Sequence, residues 1–280
     1  MIKFFSLVKV GYSFYTPAGI SRYPWEDRTF LSLIKPGVFH AGSIYGGMPL
    51  FLLMTEELPG AILQRDGKSY AIVPRTPSGI VTPEELERIA RVARKYRIPV
   101  IKMTSGQRMV LVGLNKDDIP SVWRDLGMDV GQATAPCVHY VQACPGTETC
   151  RFGVQDSLGL GLAIEKMYKD LSLPAKVKIG VSGCPRCCGE SHVRDIGIFG
   201  TPKGWTIVFG GNSATRPRIG DVVAKDLSAE DAIDLSRRLL EYYRDHGKPR
   251  ERTARFVERI GFEAIRRDVL AYTPYIPMGK

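Results

Sequence analysis

The alternation of apolar and polar positions is weak at the start of the chain and becomes regular only near residue 67. Residues 1–66 are rich in glycine, proline and aromatic side chains without a clear period, which predicts an irregular N-terminal extension. The short run "SYAIV" then predicts a strand at about 69–73. The next segment predicts a helix, because Thr82 suits the N-cap, Pro83 the first helical position and Glu85 a capping box.

Two apolar, β-branched runs follow this helix. "PVIKMT" and "RMVLVGL" predict strands, and "KDDIPSVWRDLG" predicts a second helix. A strand near "CVHYVQA" would complete the series. The β-α-β-β-α order with this last strand predicts a ferredoxin-like half-domain over residues 67–135.

The remainder of the chain, residues 136–280, predicts a mixed α/β domain with a helical C-terminal tail. "AKVKIGVSG", "VRDIGIFG" and "WTIVFGG" predict strands, and Ser228 suits the N-cap of a helix that ends at Gly247, before a last helical stretch at about 252–270. The predicted fold class is therefore α+β. A further helix precedes the first of these strands, with apolar residues at helical spacing: Val154, Leu158, Ile164, Tyr168 and Leu171.

Composition narrows the class of protein. The 280 residues are 44% hydrophobic and 24% charged, which is typical of a soluble globular protein. The longest purely apolar stretch, "MPLFLL", is far too short to span a bilayer, so we expect no membrane span and a cytoplasmic location. The net charge is +10, but no block of consecutive basic residues and no nucleic-acid motif occurs. The surplus therefore favours a small anionic ligand over nucleic acid.

Six cysteines lie in the middle of the chain, and their spacing indicates a metal centre. A disulfide framework normally belongs to a short chain with a signal peptide, and we expect neither condition here. Cys144 and Cys150 enclose five residues, and Cys184 and Cys188 enclose three. Structural zinc sites use tighter knuckles, so the spacing favours a [4Fe–4S] cluster and leaves zinc as the alternative. We assign Cys137 to packing.

The cysteine motifs "ACPGTETCRFG" and "VSGCPRCCG" resemble those of the sirohaem-containing nitrite and sulfite reductases. "IKMTSGQRMVLVGL" and "FGGNSATRPRIG" extend the resemblance over residues 67–270, in a single-repeat form similar to the sirohaem domain of NADH-type nitrite reductases. The resemblance implies that Cys144, Cys150, Cys184 and Cys188 bind a [4Fe–4S] cluster. It also implies that Cys188 bridges the cluster to the sirohaem iron, whereas Cys187 has no assigned role.

The resemblance also gives the basic residues candidate roles. Lys176 and Lys178 alternate on one predicted strand, share a face and match the substrate lysines of the family. His139 is a candidate proton donor, although a lone histidine is more often packed. The family often has an arginine at the position of His139. The sulfite reductases have a second arginine at the position of Gly106. Sirohaem carries many carboxylates, and the candidates to bind them are Arg108, Arg151, Asn212, Arg216 and Arg218.

The function implied by the resemblance is reduction of sulfite to sulfide, of nitrite to ammonia, or of both, with electrons passed through the cluster. No flavin- or NAD-binding fingerprint occurs, so the expected donor is a ferredoxin or a reductase subunit. A single repeat, where full-length members carry two, predicts a homodimer or a paralogous partner. Two alternatives are an electron-transfer or assembly subunit without oxyanion reduction and a tetrapyrrole-modifying relative.

Overall fold

The computed structural model describes residues 58, 60–132, 134–169 and 171–271, all within the unit Met54–Lys280. Most of the predicted N-terminal extension lies outside the described residues. The strands form two sheets, and helices pack on both of them. This arrangement confirms the predicted α+β class. No helix in the described ranges has the length and apolar character needed to cross a membrane.

The first sheet begins earlier than the sequence pattern predicts. Strand β1 (Ala61–Leu63) lies within the predicted extension. It pairs antiparallel with β2 (Tyr70–Ile72), which lies just after the extension. The carboxylate of Asp66 accepts hydrogen bonds from the backbone N–H groups of Lys68 and Ser69, both at 2.9 Å, and so closes the hairpin turn. An Asp-Gly pair between two apolar runs is a hairpin signal. The half-domain therefore includes residues that we expected to be irregular.

The first sheet is antiparallel throughout, in the order β1-β2-β4-β3. Strands β3 (Val100–Met103) and β4 (Met109–Leu114) and helices α1 (Pro83–Lys95) and α2 (Ile119–Leu126) all lie where the pattern predicts them. Apolar side chains from the sheet and both helices form one buried core, which includes Ile72, Ile89, Leu111, Ile119, Val122 and Leu126.

The start of α1 confirms the predicted cap. The Thr82 hydroxyl accepts a hydrogen bond from the Glu85 N–H at 3.2 Å, and the Glu85 carboxylate accepts one from the Thr82 N–H at 2.8 Å. Together they satisfy two backbone donors that the first helical turn would otherwise leave unpaired.

The second sheet has five strands in sequential order: β5 (Val138–Ala143), β6 (Val177–Ser182), β7 (Ile196–Thr201), β8 (Gly204–Phe209) and β9 (Asp221–Leu227). Strands β5, β6 and β7 are parallel neighbours, and the last two pairs are antiparallel.

One predicted strand belongs to a different sheet from the one expected. The "CVHYVQA" strand, β5, pairs in parallel with β6 and opens the second sheet, so it does not complete the ferredoxin-like unit. All six of its residues are buried, as parallel strands covered on both faces require. Strand β1 supplies the fourth strand of the first sheet instead. Strand β9 was not predicted.

Helix α3 (Ser157–Tyr168) connects β5 to β6, and α4 (Ala229–His246), α5 (Thr253–Ile260) and α6 (Phe262–Ala271) form the helical tail. The cap of α4 confirms the prediction, because the Ser228 hydroxyl accepts from the N–H of residue 231 at 3.0 Å. The last predicted helical stretch is two helices, since a glycine at 261 with φ +90° interrupts it.

Polar side chains hold the first sheet against the second. A buried ion pair joins Arg75 to Glu165 of α3 at 3.2 Å, and the Ser78 N–H donates to the same carboxylate at 2.9 Å. The Gln107 amide donates to the Ala143 carbonyl at 2.9 Å and accepts from its N–H at 3.1 Å. The two Gln107 bonds fix the β3–β4 turn beside the end of β5. The ion pair is strongly held, because separating it would leave an unpaired buried charge.

Candidate functional site

The two cysteine loops meet at the carboxyl ends of β5 and β6. Cys144 directly follows β5, and Cys184 follows β6 after one glycine. The Cys144 N–H donates to the Val181 carbonyl at 3.1 Å, and the Gly183 N–H donates to the Cys144 sulfur at 3.1 Å. A Cβ atom on Gly183 would lie 2.6 Å from the Cα atom of Gly146, so only glycine lets the loops approach this closely.

The four predicted cluster ligands run from the interior to the surface. Cys144 and Cys184 are buried, Cys150 is half-buried and Cys188 is exposed. Thiolates on two touching loops, with a backbone N–H already directed at one sulfur, form a donor set that suits an iron–sulfur cluster.

Zinc and an iron–sulfur cluster place their protein ligands differently. In the described ranges, no group of three or more His, Cys, Asp or Glu side chains could hold a single metal ion. Structural zinc needs four ligands around one point at about 2.0–2.3 Å. A [4Fe–4S] cluster instead distributes its four thiolates over four irons, so its ligands need not converge on one point.

The adjacent thiols of Cys187 and Cys188 have different surroundings. Cys187 adopts φ +63°, and its sulfur accepts a hydrogen bond from the His192 N–H at 3.2 Å. The sulfur of Cys187 is therefore held within its own turn, while Cys188 remains exposed. Cys137 is buried at the opposite end of β5, about 20 Å from Cys144 at the usual rise of a strand.

A cationic group lies on one face of β5 and β6. The Tyr140 ring centroid is 4.9 Å from the Arg108 guanidinium, 5.7 Å from that of Arg194 and 5.9 Å from the Lys178 ammonium. Arg194 is only 2% exposed, and it donates to the side-chain oxygen of Gln142 at 2.7 Å.

This group has unused hydrogen-bond donors. The Nε atoms of Arg108 and Arg194 are buried, and neither has a hydrogen-bond partner among the described residues. Arg194 is paired with Glu190, whereas burial lowers the pKa of the Arg108 guanidinium. Buried donors without partners are costly, so the group fits an anion such as a cofactor carboxylate or a small oxyanion.

The two predicted substrate lysines are not equivalent. Lys178 lies in β6 and is half-buried, whereas Lys176 precedes the strand and is exposed. Burial lowers the pKa of the Lys178 ammonium, and the charges of Arg194, Arg252 and Lys176 lower it further. We therefore expect Lys178 to interact more strongly with an anion than Lys176 does.

His139 lies near these lysines but does not suit a proton donor. Its Nε2 atom is 2.7 Å from the Ala135 carbonyl oxygen, which can only accept, so Nε2 carries a proton and donates it to this carbonyl. Burial lowers the pKa of His139 to about 4, helped by the charges of Arg108, Lys176 and Lys178. At neutral pH the ring is therefore uncharged, as the packed alternative anticipates.

His139 should make the fold sensitive to acid. Its folded pKa of about 4 lies below its ordinary value of 6.5, so the unfolded chain binds more protons between these values and stability falls as pH falls through them. From pH 7 to pH 5 the loss is about 2 kcal/mol. Glutamine does not titrate, so the difference in free energy of unfolding between wild type and His139→Gln should become smaller as the pH falls from 7 to 5. Thermal unfolding at pH 7, 6 and 5 measures this difference. A constant gap would contradict this expectation.

Arg151 lies at the surface beside the first cysteine loop. Its guanidinium lies 4.6 Å from the ring centroid of the exposed Phe152, and Arg186 from the second loop lies 4.0 Å from the same ring. One aromatic ring thus joins the two cysteine loops at the surface. The role of Arg151 toward sirohaem stays a prediction.

The remaining cofactor candidates lie in the loop between β8 and β9. Asn212 donates to the Arg216 carbonyl at 2.7 Å, and Arg218 donates to the Gly210 carbonyl at 2.9 Å and pairs with Asp221. These bonds stabilise the loop itself. Arg216 is exposed and loosely paired, so its role and those of Asn212 and Arg218 stay predictions.

A cavity of about 500 Å³ lies between the β3–β4 turn and the first cysteine loop. Its lining includes Thr104, Gln107, Pro145, Glu148 and Thr149. None of the cations around Tyr140 lines it, so this space and the cationic group are separate features that border the same loops.

Sequence reasoning missed Tyr140 and Gln142, and it noted Arg194 only as one of several basic residues near the cysteines, without a role in the site. A signal existed, because Tyr140 and Gln142 occupy alternate positions of an otherwise apolar strand and therefore share a face. Arg194 lies a few residues after the second cysteine motif. Its burial depends on how the loop packs against β5, which no local pattern reveals.

Two family models cover nearly all of the described chain. Residues 62–128 match the nitrite/sulfite reductase ferredoxin-like half domain, and residues 134–275 match the nitrite and sulphite reductase 4Fe-4S domain.

Individual relatives agree with these matches. The chain is 58% identical to the assimilatory-type sulfite reductase of Nitratidesulfovibrio vulgaris over 78% of this chain and 100% of that protein. It is 42% identical to the NAD(P)H nitrite reductase of Bacillus subtilis over 89% of this chain but 30% of the relative. The structure of the NirA protein of Mycobacterium tuberculosis matches the fold with a TM-score of 0.67 at 16% identity, over 76% of this chain and 45% of that one.

The fold and the paired cysteine loops define an oxidoreductase built around a [4Fe–4S] cluster. The chain belongs to the nitrite and sulphite reductase family. This membership confirms the predicted enzyme class and cofactors, the cluster and the sirohaem that accompanies it in the family.

Proposed function

We propose that the chain reduces sulfite to sulfide, with nitrite as a second substrate. The observation that carries the choice of sulfite is the 58% identity to an assimilatory-type sulfite reductase along that protein's entire length. The cationic group around Tyr140 supports an anionic substrate of either kind.

Each part of the site has a proposed role. When bound, sirohaem supplies an iron centre for the oxyanion, and the cluster supplies the electrons. Cys144, Cys150, Cys184 and Cys188 hold the cluster at the ends of β5 and β6.

The cations bind the substrate and supply protons. Positive charge from Lys178, the half-buried Arg108 and the buried Arg194 favours a small oxyanion on this face of the sheet. The electrons added to the substrate must be accompanied overall by protons, because each oxygen that is removed leaves as water. Lys176 is exposed, so it can give up a proton and regain one from solvent.

The partners follow from the same proposal. A separate protein, a ferredoxin or a reductase subunit, delivers electrons to the cluster. A homodimer or a complex with a paralogous subunit would supply the second repeat, and light scattering on the active protein tests this assembly.

The decisive experiment is an optical and EPR study of anaerobically purified protein, with sulfite and nitrite titrated separately and sulfide measured under a low-potential donor. We expect one cluster and one sirohaem per chain, a spectral response to sulfite and production of sulfide. Acid-labile sulfide without extractable tetrapyrrole would favour an electron-transfer subunit. Loaded protein that binds nitrite but never sulfite would overturn the substrate assignment.

A further inference from the structure

The Tyr140 ring is packed against Gly106 so closely that no larger residue fits at position 106 without moving the ring. Tyr140 is 5% exposed, and Gly106 lies in the turn between β3 and β4. A Cβ atom on Gly106 would lie 2.7 Å from the Cε1 atom of the ring and 2.8 Å from its Cζ atom. The ring therefore occupies the space that any side chain at position 106 would need.

The cations around the ring come from three separate parts of the chain. Arg108 precedes β4, Lys178 lies in β6 and Arg194 precedes β7. All three lie within 6 Å of the ring centroid, the range in which a cation is attracted to an aromatic ring.

Gathering these charges is unfavourable unless something compensates for it. Like charges repel strongly where water is excluded, and Arg194 is almost fully buried. Glu190 pairs with Arg194, Asp195 attracts Lys178 and Glu165 attracts Arg108 from a distance. Arg108 donates to the Gln132 carbonyl at 3.0 Å but forms no ion pair among the described residues. The ring therefore offsets part of the repulsion, and an anion would offset more.

We propose that Tyr140 is a positioning residue for the oxyanion: its ring, seated against Gly106, holds Arg108, Lys178 and Arg194 together as one anion-binding group. The identity of the anion rests on the proposed function. The placement of the cations around the ring does not depend on it. The ring, and not the hydroxyl, carries this role, because the centroid of the ring lies within 6 Å of all three cations and the ring is packed against the glycine.

Two substitutions of Tyr140 separate the ring from its hydroxyl. In the holoenzyme, Tyr140→Leu removes the attraction to the cations and should raise the sulfite dissociation constant about tenfold. The Michaelis constant should rise with it, while the cluster spectrum stays unchanged. Tyr140→Phe keeps the ring and should bind sulfite as wild type does. Equal weakening in Tyr140→Phe and Tyr140→Leu would overturn the proposal, since the hydroxyl would then be responsible.

Gly106→Ala tests the seat of the ring independently. Its methyl group must displace Tyr140, so it should weaken sulfite binding in the wild-type background and have no further effect in Tyr140→Leu. Additive losses in the double variant would show that position 106 acts by another route and would overturn the proposal. Because Gly106→Ala retains Tyr140, its effect on sulfite binding can be measured even if Tyr140→Leu fails to fold, and unchanged binding in Gly106→Ala alone would also overturn the proposal.

Amine labelling measured by mass spectrometry reports the placement of Lys178 without any turnover. Tyr140→Leu or Gly106→Ala should increase labelling of Lys178 relative to the exposed Lys225, whereas Tyr140→Phe should not. If the wild-type protein does not bind sulfite in a titration, the proposed function is wrong. Unchanged labelling of Lys178 in both perturbed variants would overturn the role of the ring, whatever the substrate is.

Discussion

Cys188→Ser should abolish sulfite reduction and separate the spectroscopic behaviour of the cluster from that of sirohaem. Cys188 is the exposed thiol of the second loop and the predicted bridge between the two cofactors. A serine hydroxyl is a much poorer ligand for iron than a thiolate. The loss of activity should exceed the roughly 10–100-fold that removal of an outer-shell partner costs. EPR of the oxidised and reduced variant, with sulfide production, measures both effects.

The neighbouring cysteines provide matched controls. Cys187→Ser removes a sulfur that already accepts the His192 N–H, and Cys137→Ser changes a buried residue at the far end of β5. Both variants should retain the cluster, the sirohaem and their coupling. Loss of coupling in Cys187→Ser with retention in Cys188→Ser would show that the two adjacent thiols have been assigned the wrong way round.

Local signals predicted the parts of the fold that depend on a few neighbouring residues. The capping box of α1 and the cap of α4 are short-range arrangements, and both occur where the sequence places them. The cysteine loops also follow from spacing, because each pair lies within a few residues.

Sheet membership could not be predicted in the same way. The pairing of β5 with β6 joins Val141 to Ile179, and nothing within either strand specifies that partner. The apolar pattern of "CVHYVQA" indicates a strand but suits a place in either sheet. Its burial on both faces favours the parallel sheet, and that burial is visible only in the folded chain.

The candidate site shows the same limit. The sequence indicated Arg108 and Lys178 as separate basic residues, but their common contact with Tyr140 arises only when β5 and β6 pair and the β3–β4 turn packs across them. Alternation on a strand made Lys176 and Lys178 equal candidates. In the fold, Lys176 is exposed and Lys178 is half-buried. This difference in solvent exposure, which the sequence does not reveal, gives the two lysines different expected roles.

Lys178→Ala should therefore weaken sulfite binding more than Lys176→Ala does. Lys178 is half-buried near two guanidinium groups, and we expect its loss to cost about 1.5–3 kcal/mol, the range for a hydrogen bond to a charged group. Lys176 is exposed, so solvent and salt screen its charge and its loss should cost less. Titration of the optical spectrum with sulfite measures both affinities.

Ionic strength sharpens the distinction between the two lysines. Raising salt from about 0.01 M to 1 M shortens the screening length from roughly 30 Å to 3 Å, which should remove most of the Lys176→Ala effect and leave most of the Lys178→Ala effect. Lys225→Ala, at an exposed lysine on β9, controls for the general loss of positive charge. Equal losses at positions 176 and 178, or unchanged affinity and turnover in the double variant, would place oxyanion binding elsewhere, because a half-buried cation beside the substrate must contribute more than a solvated one.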